Sequence, residues 1–203
     1  RFSRIDKIPE PPTQPQVLGT FVHEILEKLY ELPAEERTIP NARSIAATAW
    51  ADTYATKADG VGVFGDKIND FRWRAWWCVE NLFNMEDPTT LNLRGVETKF
   101  SDKINGVPLL GYIDRWSEED AGVTVTDYKT GKVTKPQYDA DKVFQLVLYA
   151  LMLESSEDVS VHSSEILYVR FKDRVRYEPT PKRRSTVLSI VKSILIEEEI
   201  ELS

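Results

Sequence analysis

The chain has 203 residues, a hydrophobic content of 41% and a net charge of −7. That length suits one domain with its own core, no apolar run reaches the roughly 18 residues of a membrane span, and the overall charge does not advertise nucleic-acid binding. The single cysteine, Cys78, excludes an internal disulfide and any metal site built from cysteines. Global charge is a weak veto, because carboxylates gathered for a metal ion add to it.

In chain order, residues 1–16 are proline-rich and predict an extended arm. The spacing of Leu18, Val22, Ile25, Leu26 and Leu29 predicts a helix from Val17 to about Leu32. A second stripe of that helix carries Gly19, His23, Leu26 and Tyr30, which sets His23 beside the core face. Most histidines in such positions are bonded to a carbonyl rather than to a metal. Residues 41–87 predict a mainly helical region with a break near Asp59-Gly60-Val61-Gly62. Its aromatic residues Phe71, Trp73, Trp76, Trp77 and Phe83 could stack nucleobases, but helical spacing favours inward packing; Arg72 and Arg74 could touch phosphate, but a solvated face is expected. From Gly95 the period changes to two. Strands are expected over Gly95–Ile104, Val107–Glu118 and Val123–Lys129, the first two joined by an Asn105-Gly106 hairpin turn. A buried helix follows over 141–153, with Gln145, Tyr149 and Met152 on one stripe. A second hairpin is expected to turn at Lys172-Asp173, and a last helix to begin near Pro181. The basic run Arg170, Lys172, Arg174, Arg176, Lys182, Arg183 and Arg184 suits either a solvated face or contact with phosphates.

Register arithmetic brings three carboxylates into line. A two-residue turn at Asn105-Gly106 pairs Ile104 with Val107 and sets Glu97 opposite Asp114. Pairing Glu118 with Val123 then sets Asp114 opposite Asp127. Like charges facing each other across strands destabilise a sheet. A row of three is costly without a cation among them, and Lys129 stands at the end of the same strand face. Oxygen ligands with one imidazole suit Mg²⁺ or Mn²⁺ better than zinc.

Five segments, in this order, resemble the RecB-type nucleases of the PD-(D/E)XK superfamily. They are Gly19-Thr20-Phe21-Val22-His23-Glu24, Glu97, Gly111-Tyr112-Ile113-Asp114-Arg115, Asp127-Tyr128-Lys129-Thr130-Gly131 and Gln145-Leu146-Val147-Leu148-Tyr149. The resemblance implies an α/β (α+β) fold: a restriction-endonuclease-like core with a mixed central sheet, flanking helices and a helical insertion. It divides the chain into the arm at 1–16, the insertion at 41–87, a catalytic core at 95–153, and a hairpin and C-terminal helix at 164–203. It also implies metal-dependent hydrolysis of DNA phosphodiesters by a cytoplasmic, bacterial or phage-like exonuclease of recombination or repair.

By position, His23, Asp114, Asp127 and the carbonyl of Tyr128 would ligate the metal. Lys129 would act on the attacking water and the charged phosphorane, with Glu97 in support. Gln145, Tyr149, Thr130 and Gly131 would hold the site or touch the DNA. Relatives with an iron–sulfur cluster use four cysteines, so a cluster is expected here only if cysteines lie outside these 203 residues. DNA is the expected partner, with a helicase or recombination protein as a further one. The competing expectation is a catalytically silent nuclease fold serving as the scaffold subunit of a helicase–nuclease complex. It predicts loss of His23, Asp114, Asp127 or Lys129, and all four are present.

Overall fold

The computed structural model describes residues 12–55, 67–133 and 140–201, the side chains of 194–201 excepted. Helix α1 (Gln14–Tyr30) opens the described chain. Its first turn contains Pro15, tolerated there because an N-terminal N–H has no helical partner to lose. Thr13 caps it, its backbone N–H donating to Gln16 Oε1 at 2.8 Å. The helix therefore starts three residues earlier than the arm expected over 1–16 allows; residues 1–11 of that arm lie outside the described residues. Helix α2 (Ile39–Ala49) runs into a π-turn at Trp50–Tyr54, and α3 spans Ile68–Met85. The expected break at residues 59–62 lies outside the described residues.

Five strands form one sheet in the order β1-β2-β3-β4-β5: β1 (Leu93–Ile104), β2 (Val107–Glu119), β3 (Gly122–Lys129), β4 (Val161–Tyr168) and β5 (Asp173–Tyr177). All neighbouring pairs are antiparallel except β3 and β4, which are parallel and joined through helix α4 (Ala140–Glu157). A parallel pair needs a long crossover, and α4 supplies it. Helix α5 (Pro181–Glu201) closes the chain. The first hairpin turns through Asn105 and Gly106, both at positive φ (52° and 86°), the backbone a two-residue turn between twisted strands requires. The last hairpin differs from expectation. Tyr168 pairs with Asp173, so the turn is residues 169–172 and β4 begins at Val161.

Each face of the sheet carries a core. On one, α1, α2 and α3 pack through Phe21, Val22, Ile25, Trp50, Phe71 and Leu82 onto Tyr128, Leu167 and Val169. On the other, α4 and α5 pack onto Val123, Val125, Trp116 and Phe100 through Val147, Ala150, Leu153, Val187 and Val191. Strand β4 is buried on both sides, as a strand inside a parallel pair with helices above and below must be. Cys78 is buried in the first core, its thiol pushed up to about 11 by burial; it is a packing residue. Among the described residues no helix is long and apolar enough to cross a membrane.

The aromatic residues of α3 divide. Phe71 is fully buried, and Trp76 and Phe83 are partly so. Trp73 and Trp77 are 71% and 64% exposed, against the expectation that all five pack inward. The helix buries Phe71, Ala75, Cys78, Val79 and Leu82, and residues 73 and 77 fall off that stripe.

Candidate active site

The site forms where one ladder stops and its neighbour continues. Between β2 and β3 the last hydrogen-bonded partners are Arg115 and Thr126. Between β3 and β4 pairing runs on to Lys129 and Tyr168. Tyr128 is thus held in the sheet from one side only, and its free edge needs other partners. Its N–H donates to Asp114 Oδ2 at 2.7 Å, and its carbonyl lies 2.9 Å from His23 Nε2. Two side chains finish what the ladder leaves open. In doing so they bring α1, β2 and β3 to one point.

The expected registers hold: Ile104 pairs with Val107 and Glu118 with Val123. Glu97 sits between the pairs Val96–Arg115 and Thr98–Ile113, at the level of Asp114. Its backbone is left-handed, φ 42°, which a non-glycine residue adopts only when its surroundings demand it. His23 Nδ1 lies 3.6 Å from Asp114 Oδ1 and 4.0 Å from Glu97 Oε1. One ligating atom each from His23, Glu97 and Asp114 falls within 4.8 Å of the others. Burial alone would lower the His23 pKa, but the hydrogen bond and charge of Asp114 outweigh it and the pKa is raised. Burial, and then the charge of Asp114, push Glu97 up to about 7.

Asp127 and Lys129 form the second half of the site. Lys129 Nζ donates to Asp127 Oδ1 at 2.9 Å and lies 2.7 Å from Oδ2. The latter contact is an ion pair without hydrogen-bond alignment, so buried Oδ2 retains an unused lone pair. Burial and the nearby Asp114 raise the Asp127 pKa, partly offset by Lys129. Burial works against the Lys129 charge, but Asp127 more than compensates and raises its pKa, so the ammonium persists at neutral pH. Gln145 Nε2 donates to Tyr149 Oη at 2.7 Å, and the Tyr149 hydroxyl feels the charges of Asp127, Asp114 and Lys129. Gly111 lets α4 approach: a Cβ there would stand 3.2 Å from Tyr149 Cε1 and 3.4 Å from Met152 Cε. Gly19 faces the end of β3, where a Cβ would stand 3.6 Å from Thr130 Oγ1. Thr130 and Gly131 line a cleft of about 260 Å³ together with Gln14, Arg74 and Arg170.

A model of the PD-(D/E)XK nuclease superfamily matches residues 1–199. The chain belongs to that superfamily. No curated protein matches it. The mixed sheet with helices on both faces is the restriction-endonuclease-like fold of the family. Membership makes this a nuclease-type fold for phosphodiester hydrolysis, in a family that uses divalent metals.

The donors present in this PD-(D/E)XK chain fit such an ion. Three carboxylates face one ammonium and one imidazole, Asp127 Oδ2 has an unused lone pair, and the Tyr128 carbonyl adds a neutral oxygen. Oxygen donors with a single nitrogen form a hard-cation set. The tightest grouping is His23, Glu97 and Asp114, which brings Glu97 in from its expected supporting place.

Behind the site lies a charge network that the sequence reading missed. Arg115, next to Asp114, is fully buried and pairs with Glu86, its Nη2 donating to Glu86 Oε2 at 3.1 Å. It also donates to Tyr30 Oη at 2.9 Å and to Thr126 Oγ1 at 3.1 Å, and lies 3.7 Å from Glu165. Its guanidinium stacks over the rings of Tyr30 and Tyr128, 5.0 and 5.6 Å from their centroids. Arg174 and Arg176 complete the set against Glu86, Glu165 and Glu119. Arg184 pairs with Glu154. Arg174, Arg176 and Arg184 are therefore each engaged by a carboxylate, with Arg174 and Arg176 still 37% and 40% exposed. The sequence signal was available: a lone charge inside an apolar strand, Glu165 before Ile166-Leu167-Tyr168-Val169, implies a buried partner.

Proposed function

We propose that the protein is a divalent-metal-dependent DNA exonuclease of the RecB type, hydrolysing phosphodiester bonds in recombination or repair. The observation that carries the reading is the opened β2–β3 ladder, which gathers His23, Glu97, Asp114, Asp127 and Lys129 around the freed edge of Tyr128. The order of the motifs along the chain supports the RecB type and, with it, the exonuclease mode.

His23, Glu97, Asp114, Asp127 and the Tyr128 carbonyl would hold the ion, Mg²⁺ or Mn²⁺. When bound it supplies Lewis acidity to a phosphoryl oxygen and lowers the pKa of water. The protein's own residues do the rest. Asp127 holds the Lys129 ammonium at 2.9 Å and raises its pKa in the metal-free site, which sets a positive charge where it would steady negative charge on the phosphorane. Asp114 is fixed by the Tyr128 N–H, which sets the direction of its other oxygen. Tyr149, oriented by Gln145, stands beside the same charges and guides the phosphate.

The test is digestion of end-labelled linear and closed-circular DNA with Mg²⁺, Mn²⁺ or EDTA, comparing wild type with Lys129→Ala. The expected result is loss of linear DNA only, abolished by EDTA and slowed about 100-fold or more by the substitution, the usual scale for removing one charge-stabilising group. Cutting of the circle would replace the exonuclease reading with an endonuclease. Equal rates in both proteins would remove Lys129 from the chemistry.

A further inference from the structure

A cleft of about 630 Å³ lies away from the carboxylates, between α2 and α3. Its two walls exchange stacks. Arg43 of α2 lies over the Trp76 ring of α3, 4.9 Å from the centroid, and Arg72 of α3 lies over the Trp50 ring at 5.2 Å. Ala46 and Ala47 keep the α2 wall short, so the groove stays open above Phe21 and Ile25 of α1. Trp73 stands on the α3 wall, 71% exposed.

Three features point to a ligand. First, each guanidinium rests over an indole ring, which holds the charge at the groove and leaves its N–H donors for other partners. Among the described residues neither Arg43 nor Arg72 hydrogen-bonds or pairs with a carboxylate. That contrasts with Arg115, Arg174, Arg176 and Arg184, whose forks are taken. A guanidinium with unused donors matches phosphate oxygens. Second, an exposed indole beside these forks offers a flat face to a nucleobase, and base–indole stacking needs no sequence match. Third, α1 is the partition between this groove and the site. Phe21 and Ile25 line the groove, while His23, two residues from each, faces Tyr128. A helix is about 10–12 Å across, so a strand crosses one helix width to reach Lys129. Glu80, at the edge of the groove, is the carboxylate a phosphate chain would avoid.

We propose that the α2/α3 groove binds single-stranded DNA, bases stacking on Trp73 and phosphates meeting Arg43 and Arg72. The choice of DNA rests on the nuclease reading above. A duplex is the poorer occupant, because its bases are already stacked on one another.

The test uses the full chain in EDTA and a labelled oligothymidylate of about 16 nucleotides, the upper site size for aromatic strand-binding grooves. Trp73→Ala is expected to weaken binding about tenfold with an unchanged circular dichroism spectrum, as an exposed residue allows. The double variant Arg43→Gln/Arg72→Gln is expected to weaken it and to lower the salt slope by about 1.4, about 0.7 for each phosphate no longer neutralised. Hydrolysis of bis(p-nitrophenyl) phosphate with Mn²⁺ should be the same in Trp73→Ala and wild type. Equal oligothymidylate affinity in wild type and both variants overturns the proposal, and the groove is then a protein-docking or packing feature. If wild type hydrolyses no ester but Trp73→Ala still loses the strand, the nuclease reading fails and the groove assignment stands.

Discussion

Two clusters of charge share strand β2, and they are built on opposite principles. Around Arg115 the charges balance. Glu86, Glu165 and Glu119 meet Arg115, Arg174 and Arg176, and Tyr30 and Thr126 take further hydrogen bonds. One residue earlier, around Asp114, they do not: three carboxylates face one lysine and one histidine. The pKa directions follow. Glu86, buried beside Arg115, is held below its ordinary value against the cost of burial, whereas Glu97 is pushed up to about 7. A buried cluster whose charges balance is structural, even though Arg115 Nε and the Tyr128 hydroxyl have no hydrogen-bond partner there among the described residues. One that leaves negative charge and an unused lone pair at Asp127 Oδ2 is completed from outside.

Breaking the balanced cluster should have the largest effect on stability. Arg115→Ala leaves Glu86 and Glu165 buried with only Arg174 and Arg176 beside them, and truncating one partner of a buried pair costs about 3–5 kcal/mol. Chemical denaturation reads this directly. A loss near zero would mean that water reaches the network and that the two clusters do not differ as argued. Completing the unbalanced cluster should have the opposite sign. Mg²⁺ or Mn²⁺ at about 100 times its dissociation constant should stabilise the fold by about 2.7 kcal/mol. The melting temperature should rise in wild type and not in Asp114→Asn. An equal rise in both would place the ion elsewhere.

The same contrast marks what the sequence discloses. The row of carboxylates was legible because Asn105-Gly106 and the short turn before Gly122 fix register, and register fixes which side chains meet. The balanced cluster was hidden by one misplaced turn. Turning at Lys172-Asp173 would pair Phe171 with Arg174. The observed pairing of Tyr168 with Asp173 brings Arg176 opposite Glu165 and turns an apparent basic surface into an ion pair. The ladder's opening at Tyr128 had no sequence signal, since it arises from Asp114 and His23 replacing backbone partners across 14 and 105 residues of chain. Trp73 and Trp77 were misplaced for a simpler reason. Five aromatics spread over residues 71–83 cannot share one helical stripe, and the stripe Phe71-Ala75-Cys78-Leu82 excludes both.

The smallest expected effect concerns protons and probes the unbalanced cluster without a metal. In EDTA the folded protein holds Glu97 at about 7 against an ordinary 4.5, and Asp127 and His23 are raised as well. All three shifts have one sign: the folded state binds protons that the unfolded state has released. Their contribution to stability is full below about pH 4 and is lost as pH rises through about 7. The metal-free melting temperature should therefore fall between pH 5 and 7.5, and Glu97→Gln should flatten that fall and raise the melting temperature at pH 7.5. Because Glu97 is partly open to solvent, screening keeps the change to a few degrees. With metal the direction reverses. The ion displaces the same protons, so affinity should climb over the window in which the metal-free protein weakens, and calorimetric titration at pH 6 and pH 7.5 measures it. A flat metal-free profile would mean that the carboxylates part in solution, and the cluster would then resemble its balanced neighbour.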